Sequence, residues 1–234
     1  MTVKKAPVEK RTILKKHKFR FIDKLGMELE GGWGEKPEWT VAGDSSVSCG
    51  GNHLGEIRTV PQDTMLGVFD ELKKKYPDDT NESCGFHIHV SLSALHHAHL
   101  ANEEFFKYFL LRMENVAEFL KVSKETADYN RLMPRLGGKN SYCSKQFNPL
   151  KQLKGALDRR TMLNFCPHKE HGTIENRLFP MFIKLSNARM AVYEYADTIE
   201  SFLSKHKDNF ESSLSVELPE DETGIKLIKE EICV

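Results

Sequence analysis

The sequence predicts an α+β fold: a curved antiparallel or mixed sheet with helices packed on one face and an open, reactive second face. Five short segments alternate apolar and polar residues with period two, and three longer stretches repeat apolar residues at helical spacing. The two kinds of segment do not alternate regularly along the 234 residues, which disfavours a parallel βαβ architecture.

Met1 to about Lys18 is rich in lysine and reads as a flexible basic arm. Residues 19–206 carry the periodic segments and form the predicted folded domain, beginning with the strand FRFID at Phe19. In GMELEG, Glu28 and Glu30 share one face of a strand while Met27 and Leu29 take the other, because successive side chains point to opposite sides. GEIRTV places Glu56 and Arg58 opposite Ile57. A helix follows in QDTMLGVFDELKKKY, with Met65, Val68, Phe69 and Leu72 in its stripe and Asp63 or Thr64 as its cap. CGFHIHVSL sets His87 and His89 against Phe86, Ile88 and Val90.

The cluster His96, His97 and His99 reads as an exposed turn. From Asn102 onward Phe105, Phe106, Phe109, Leu110, Met113, Val116, Ala117 and Leu120 form the wide apolar stripe of a long helix. His168 and His171 read as a loop flanking the next strand, GTIENRLF, where Glu175 and Arg177 oppose Ile174 and Leu178. A third helix spans about Ser186 to His206, and residues 207–234 form an acidic extension broken by Pro219 and Gly224.

Bulk composition points to no particular partner: 34 basic residues balance 34 acidic ones, and the 39% hydrophobic fraction is ordinary for a globular chain. Five scattered cysteines with no C-x-x-C argue against a disulfide framework and a cysteine zinc knuckle, and suit a reducing, cytoplasmic setting. No apolar run approaches the ~20 residues of a membrane span.

The chemistry lies in the four polar strand faces. A merely solvated face usually carries Lys, Thr, Ser and Gln, whereas these carry carboxylate, imidazole and guanidinium, each strand preceded by a glycine. Four glutamates with one or two histidines favour magnesium or manganese over zinc, whose sites prefer several His and Cys ligands. Two such ions with arginines are a recurrent solution to phosphoryl transfer, and Arg58, Arg159, Arg160 and Arg177 are the available cations. The sequence has neither a P-loop G-x-x-x-x-G-K-[ST] nor a nucleophile elbow G-x-S-x-G.

In order, GMELEG, the D-x-S of AGDSSVSCGGNHLGEIRTVP, CGFHIHVSL, DRRTMLNF and GTIENRLF resemble the motifs of amidoligase-type proteins. These belong to the carboxylate-amine ligase superfamily, which has a glutamine synthetase-like catalytic fold. The resemblance covers about Phe19 to His206. It implies ATP and two magnesium ions, with manganese able to substitute. Glu28, His87 and Glu175 would hold one ion, and Glu30 with Glu56 the other. His89 would face nucleotide or substrate, Arg159 or its rival Arg160 the nucleotide phosphates, and Arg177 the substrate carboxylate or transferred phosphate. Asp44 would orient or deprotonate the amine. The implied reaction joins a carboxylate to an amine through an acyl phosphate.

The substrates range from small metabolites to a peptide, a protein or a modified nucleobase, and a homo-oligomer fits related enzymes. Three rival readings are a guanidino-type phosphotransferase of the same fold, a zinc hydrolase built on His87 and His89, and a non-catalytic nucleic-acid-binding module using the basic arm and the Arg131 to Lys154 region.

Overall fold

The computed structural model describes residues 18–154 and 159–206. The basic arm up to residue 17 and the acidic extension 207–234 lie outside the described residues.

Five strands form one sheet in the order β2-β1-β3-β5-β4, and every neighbouring pair is antiparallel. They are β1 (Ile22–Trp33), β2 (His53–Arg58), β3 (Gly85–Leu92), β4 (Leu163–Asn164) and β5 (Thr173–Pro180). The sheet is therefore antiparallel throughout, and the α+β class stands. β1 starts at Ile22 rather than Phe19, because the Glu200 carboxylate captures the amides of Arg20, Phe21 and Ile22 at 3.0–3.2 Å.

Leu29, Ile57, Phe86, Ile88 and Ile174, from β1, β2, β3 and β5, are at most 1% exposed and share the core with the helices. Burying a side chain of this size contributes roughly 1.5–3 kcal/mol. The helices over this face are α1 (Met65–Lys75), α3 (Glu103–Val122), α4 (Thr126–Leu136) and α7 (Leu185–Lys205), joined by the shorter α2 (Ala94–Leu100), α5 (Pro149–Leu153) and α6 (His168–His171). α1 and α7 pack on β1, α4 on β5, and α3 on both α4 and α7.

Local chemistry sets the ends of these helices. Thr64 caps α1 by accepting from the Gly67 amide at 3.2 Å, and Asn102 caps α3 by accepting from Phe105 at 2.8 Å. α7 receives no cap from its own Lys184. Asp128 of α4 instead fixes the chain as it enters α7, accepting from the Ile183 amide and the Asn187 side chain at 2.7 Å each.

Two expectations are corrected. The His96–His99 segment is helix α2 rather than an exposed turn, and His97 is only 4% exposed. Its helix is capped by Ser93, and the fall of Leu100 into the core carries His97 inward. His168 and His171 bound helix α6, which Gly172 ends in the left-handed conformation at φ 62°.

Candidate metal centre

Antiparallel register brings the reactive residues together. Glu28 of β1 stands between Arg58 of β2 and His87 of β3, Glu30 opposes Glu56, and His89 opposes Glu175. Directly opposed side chains lie about 4.5–5.5 Å apart at Cβ, so one face of four strands becomes one cluster. Asn164 of β4 pairs with Glu175 and closes the far side.

Asp44 enters from outside the named strands. The Ala42 backbone exchanges two hydrogen bonds with Glu56, at 2.8 and 2.9 Å, and thereby lays the segment along β2. Gly55 permits this approach: its φ is +145°, and a Cβ there would sit 2.1 Å from the Ala42 carbonyl oxygen. The Asp44 carboxylate accepts from the Ser46 amide and hydroxyl at 2.7 Å each, and these bonds lower its pKa, with a smaller contribution from the Arg159 charge.

His87 is the hub. Its Nδ1 lies 3.2 Å from Glu28 Oε2 and 3.4 Å from Glu175 Oε1, and its Nε2 lies 3.6 Å from Glu30 Oε1. His89 Nε2 approaches Glu28 Oε1 at 3.6 Å and Glu175 Oε1 at 3.9 Å, while its Nδ1 meets Thr173 Oγ1 at 3.3 Å. Glu175 is clamped by Arg177 on Oε1 at 2.5 Å and by Asn164 Nδ2 on Oε2 at 2.7 Å. Glu30 accepts from the Gly85 amide at 2.5 Å, and Arg58 Nε sits 3.2 Å from Glu28 and 3.0 Å from Glu56.

The electrostatics are unbalanced. Among the described residues, five carboxylates, Glu28, Glu30, Asp44, Glu56 and Glu175, meet only Arg58 and Arg177 as direct guanidinium partners. Burial raises the pKa of Glu56, and the neighbouring Glu28 charge raises it further. Burial also opposes ionisation of Glu28, but hydrogen bonds from His87 and His89 outweigh it and hold this carboxyl well below the usual range. For His89 burial disfavours the charged form, yet the Glu28 and Glu175 carboxylates raise its pKa.

Three sets of donor atoms lie within 4.8 Å of one another: Glu28, Glu56 and His87; Glu28, His89 and Glu175; and Glu30, Asp44 and Glu56. Glu28 and Glu56 each belong to two sets, as shared ligands between adjacent ions would. This grouping differs from the one implied by family resemblance. His89 falls among donor atoms because its register pairs it with Glu175 on one side and with Gly26 on the other, which leaves room for it to reach Glu28 diagonally at 3.6 Å. Asp44 falls among them because the Ala42 bridge carries it to Glu56.

Arg159 and Arg160 are not drawn into the cluster. Both are exposed ahead of β4, and the Arg160 guanidinium lies 5.6 Å from the Tyr142 ring centre. Sequence reasoning missed Asn164 and Thr173 as supports of Glu175 and His89, and the Gly85 amide as a support of Glu30. The C-G-x-H spacing was the available signal for Gly85. It also missed Arg135, 4% exposed on α4, which donates to the carbonyls of Cys84 and Phe179 at 3.3 Å, flanking the start of β3 and the end of β5.

Fold and site together define a carboxylate-rich candidate cation centre on the polar face of an antiparallel α+β sheet. No family model matches the chain, and neither a curated protein nor a solved structure is detectably similar to it.

Proposed function

We propose that the chain is an ATP-dependent carboxylate-amine ligase of the amidoligase type, with a glutamine synthetase-like catalytic fold and a cytoplasmic site of action. The observation that carries this reading is the excess of buried negative charge. Glu30 and Glu175 are 6% and 3% exposed, and desolvated carboxylates this close together are stable only beside cations. The donor set is mostly carboxylate oxygen with two imidazoles, which suits magnesium or manganese better than zinc. The absence of a membrane-length apolar helix among the described residues is compatible with this assignment.

Glu30, Asp44 and Glu56 would hold one ion, and Glu28, His87, His89 and Glu175 a second, with Glu28 and Glu56 near both. Bound divalent ions supply charge neutralisation around a transferred phosphoryl group. The chain's own contribution is positioning. Asn164 and Arg177 fix Glu175 from two sides, Gly85 fixes Glu30, and Thr173 fixes the ring of His89. Arg177, anchored by Glu175, would meet a substrate carboxylate or the oxyanion that forms when an amine displaces phosphate. Arg159 and Arg160, exposed at the sheet edge, are available to nucleotide phosphates arriving from solvent.

The test is to incubate the protein with Mg-ATP and pooled amino acids, other carboxylates and polyamines. Release of ADP with inorganic phosphate and an amide product supports ligation. ADP with a phosphorylated guanidine identifies a guanidino phosphotransferase instead, and zinc-dependent hydrolysis without nucleotide a hydrolase. A folded sample that neither binds Mg-ATP nor releases ADP overturns the proposal. Mass spectrometry of cells expressing wild type against Glu175→Ala would then identify the joined molecules.

A further inference from the structure

At the end of the sheet where β3 finishes and β5 begins, two helices bring a second pair of imidazoles together. The rings of His97, from α2, and His168, from α6, have centroids 4.4 Å apart and planes inclined by 47°. His97 Nε2 lies 3.1 Å from the Gly172 carbonyl oxygen, which can only accept, so the proton sits on Nε2 and the lone pair on Nδ1. Among the described residues that buried Nδ1 meets no donor, and His168 Nδ1 is buried and unpartnered in the same way. A ring nitrogen tied to a backbone carbonyl, with the other left bare, is the usual arrangement of a metal-ligating histidine.

We propose that His97 and His168 form a second metal-binding pair, separate from the carboxylate centre, that takes a borderline transition-metal ion such as Zn2+ or Ni2+ through their Nδ1 atoms. A donor pair that is all imidazole, with no carboxylate beside it, suits these ions rather than magnesium. Among the described residues, three-donor groups occur only at the carboxylate centre, so water would complete the coordination here once the half-buried His168 swings outward to admit it. His168 lies half-buried on a four-residue helix, where it can adjust to metal–nitrogen distances of about 2.0–2.1 Å.

The pair also has a route to the centre. The Gly172 carbonyl that orients His97 precedes Thr173, whose hydroxyl meets His89. A bound ion would tie α6 to α2 and hold the start of β5 in register with β3. The inference does not depend on ligase activity.

The experiment titrates the full chain carrying Glu28→Gln and Glu175→Gln, which disable the carboxylate centre, with Zn2+ against a chromophoric chelator and separately with Ni2+. One equivalent should bind, and adding His168→Phe or His97→Phe should weaken binding at least tenfold while circular dichroism is unchanged. In the otherwise wild-type chain, His168→Phe should lower the zinc stoichiometry by one equivalent. Should His97→Phe or the double-glutamine background fail to fold, the wild-type stoichiometry with and without His168→Phe decides. No zinc bound in the folded background, or binding indifferent to His168→Phe, overturns the proposal.

Discussion

Two polar clusters lie inside this molecule, and they are built on opposite rules. Between the helices, Arg112 of α3 meets Glu194 at 2.7 Å and Asp197 at 2.5 Å on α7, and Asp128 of α4 is saturated by the start of α7. Donors and acceptors match there. On the sheet, five carboxylates crowd around two guanidiniums and two imidazoles, and among the described residues Arg177 Nε has no hydrogen-bond partner. A cluster that closes on itself serves stability, whereas one left with excess charge is arranged for something that arrives from outside.

The sharpest attempt to break this contrast is Asp128→Ala. It leaves the Ile183 amide and Asn187 side chain without their acceptor and should cost about 2–4 kcal/mol of stability, read by urea denaturation. Its effect on divalent-ion affinity should be small. If stability is unchanged, the helix cluster is not the structural one.

Gly85→Ala attacks the other side. A Cβ there would lie 2.6 Å from His87 Nε2 and 3.1 Å from Glu30 Oε2, so both side chains must move. Magnesium affinity, measured calorimetrically, should fall about a hundredfold, the upper range for loss of a supporting contact.

Glu56→Gln should separate function from stability. It removes a carboxylate whose ionisation is opposed by burial and by Glu28, so the melting temperature in chelator should hold or rise. Magnesium affinity should nonetheless drop roughly tenfold. A fall in both would mean that the sheet cluster is internally balanced after all.

The smallest effect tests a peripheral control. Glu71 is partly buried, which opposes ionisation, but its bonds to the Val60 amide and Lys75 prevail and lower its pKa below 4.5. Its stabilisation is present above the unfolded-state pKa and is lost as pH falls through the depressed folded value. Glu71→Gln should therefore cost about 1–2 kcal/mol at pH 7 and progressively less below about pH 4.5, as followed by denaturation at several pH values.

The strand faces were legible from sequence because a period of two is local: Glu28 and Glu30, His87 and His89, and Glu175 and Arg177 sort themselves residue by residue. The antiparallel register that turns four faces into one centre was not, since pairing partners lie tens of residues apart. α4 escaped notice because Asp128, Arg131 and Arg135 occupy its pattern and Pro134 lies inside it. The irregularity in β5 was equally hidden. Asn176 turns its side chain back to accept from the Leu178 amide, and the register with β3 slips between Phe86 and Ile88. Asp44 could be named from the D-x-S pattern, but its meeting with Glu30 and Glu56 depends on one bridge at Ala42.

That bridge makes the centre conditional. Most of its donors stand on strands knitted into the middle of the sheet, but Asp44 stands on a segment joined to Glu56 by two backbone hydrogen bonds and anchored beyond it by the buried Val47 and the Ser48 amide on Ser83. Local opening of so short a ladder takes far less free energy than unfolding the sheet. Loading of the centre and ordering of residues 42–46 are then two readings of a single equilibrium: whatever binds between Glu30, Asp44 and Glu56 also closes that edge of the molecule.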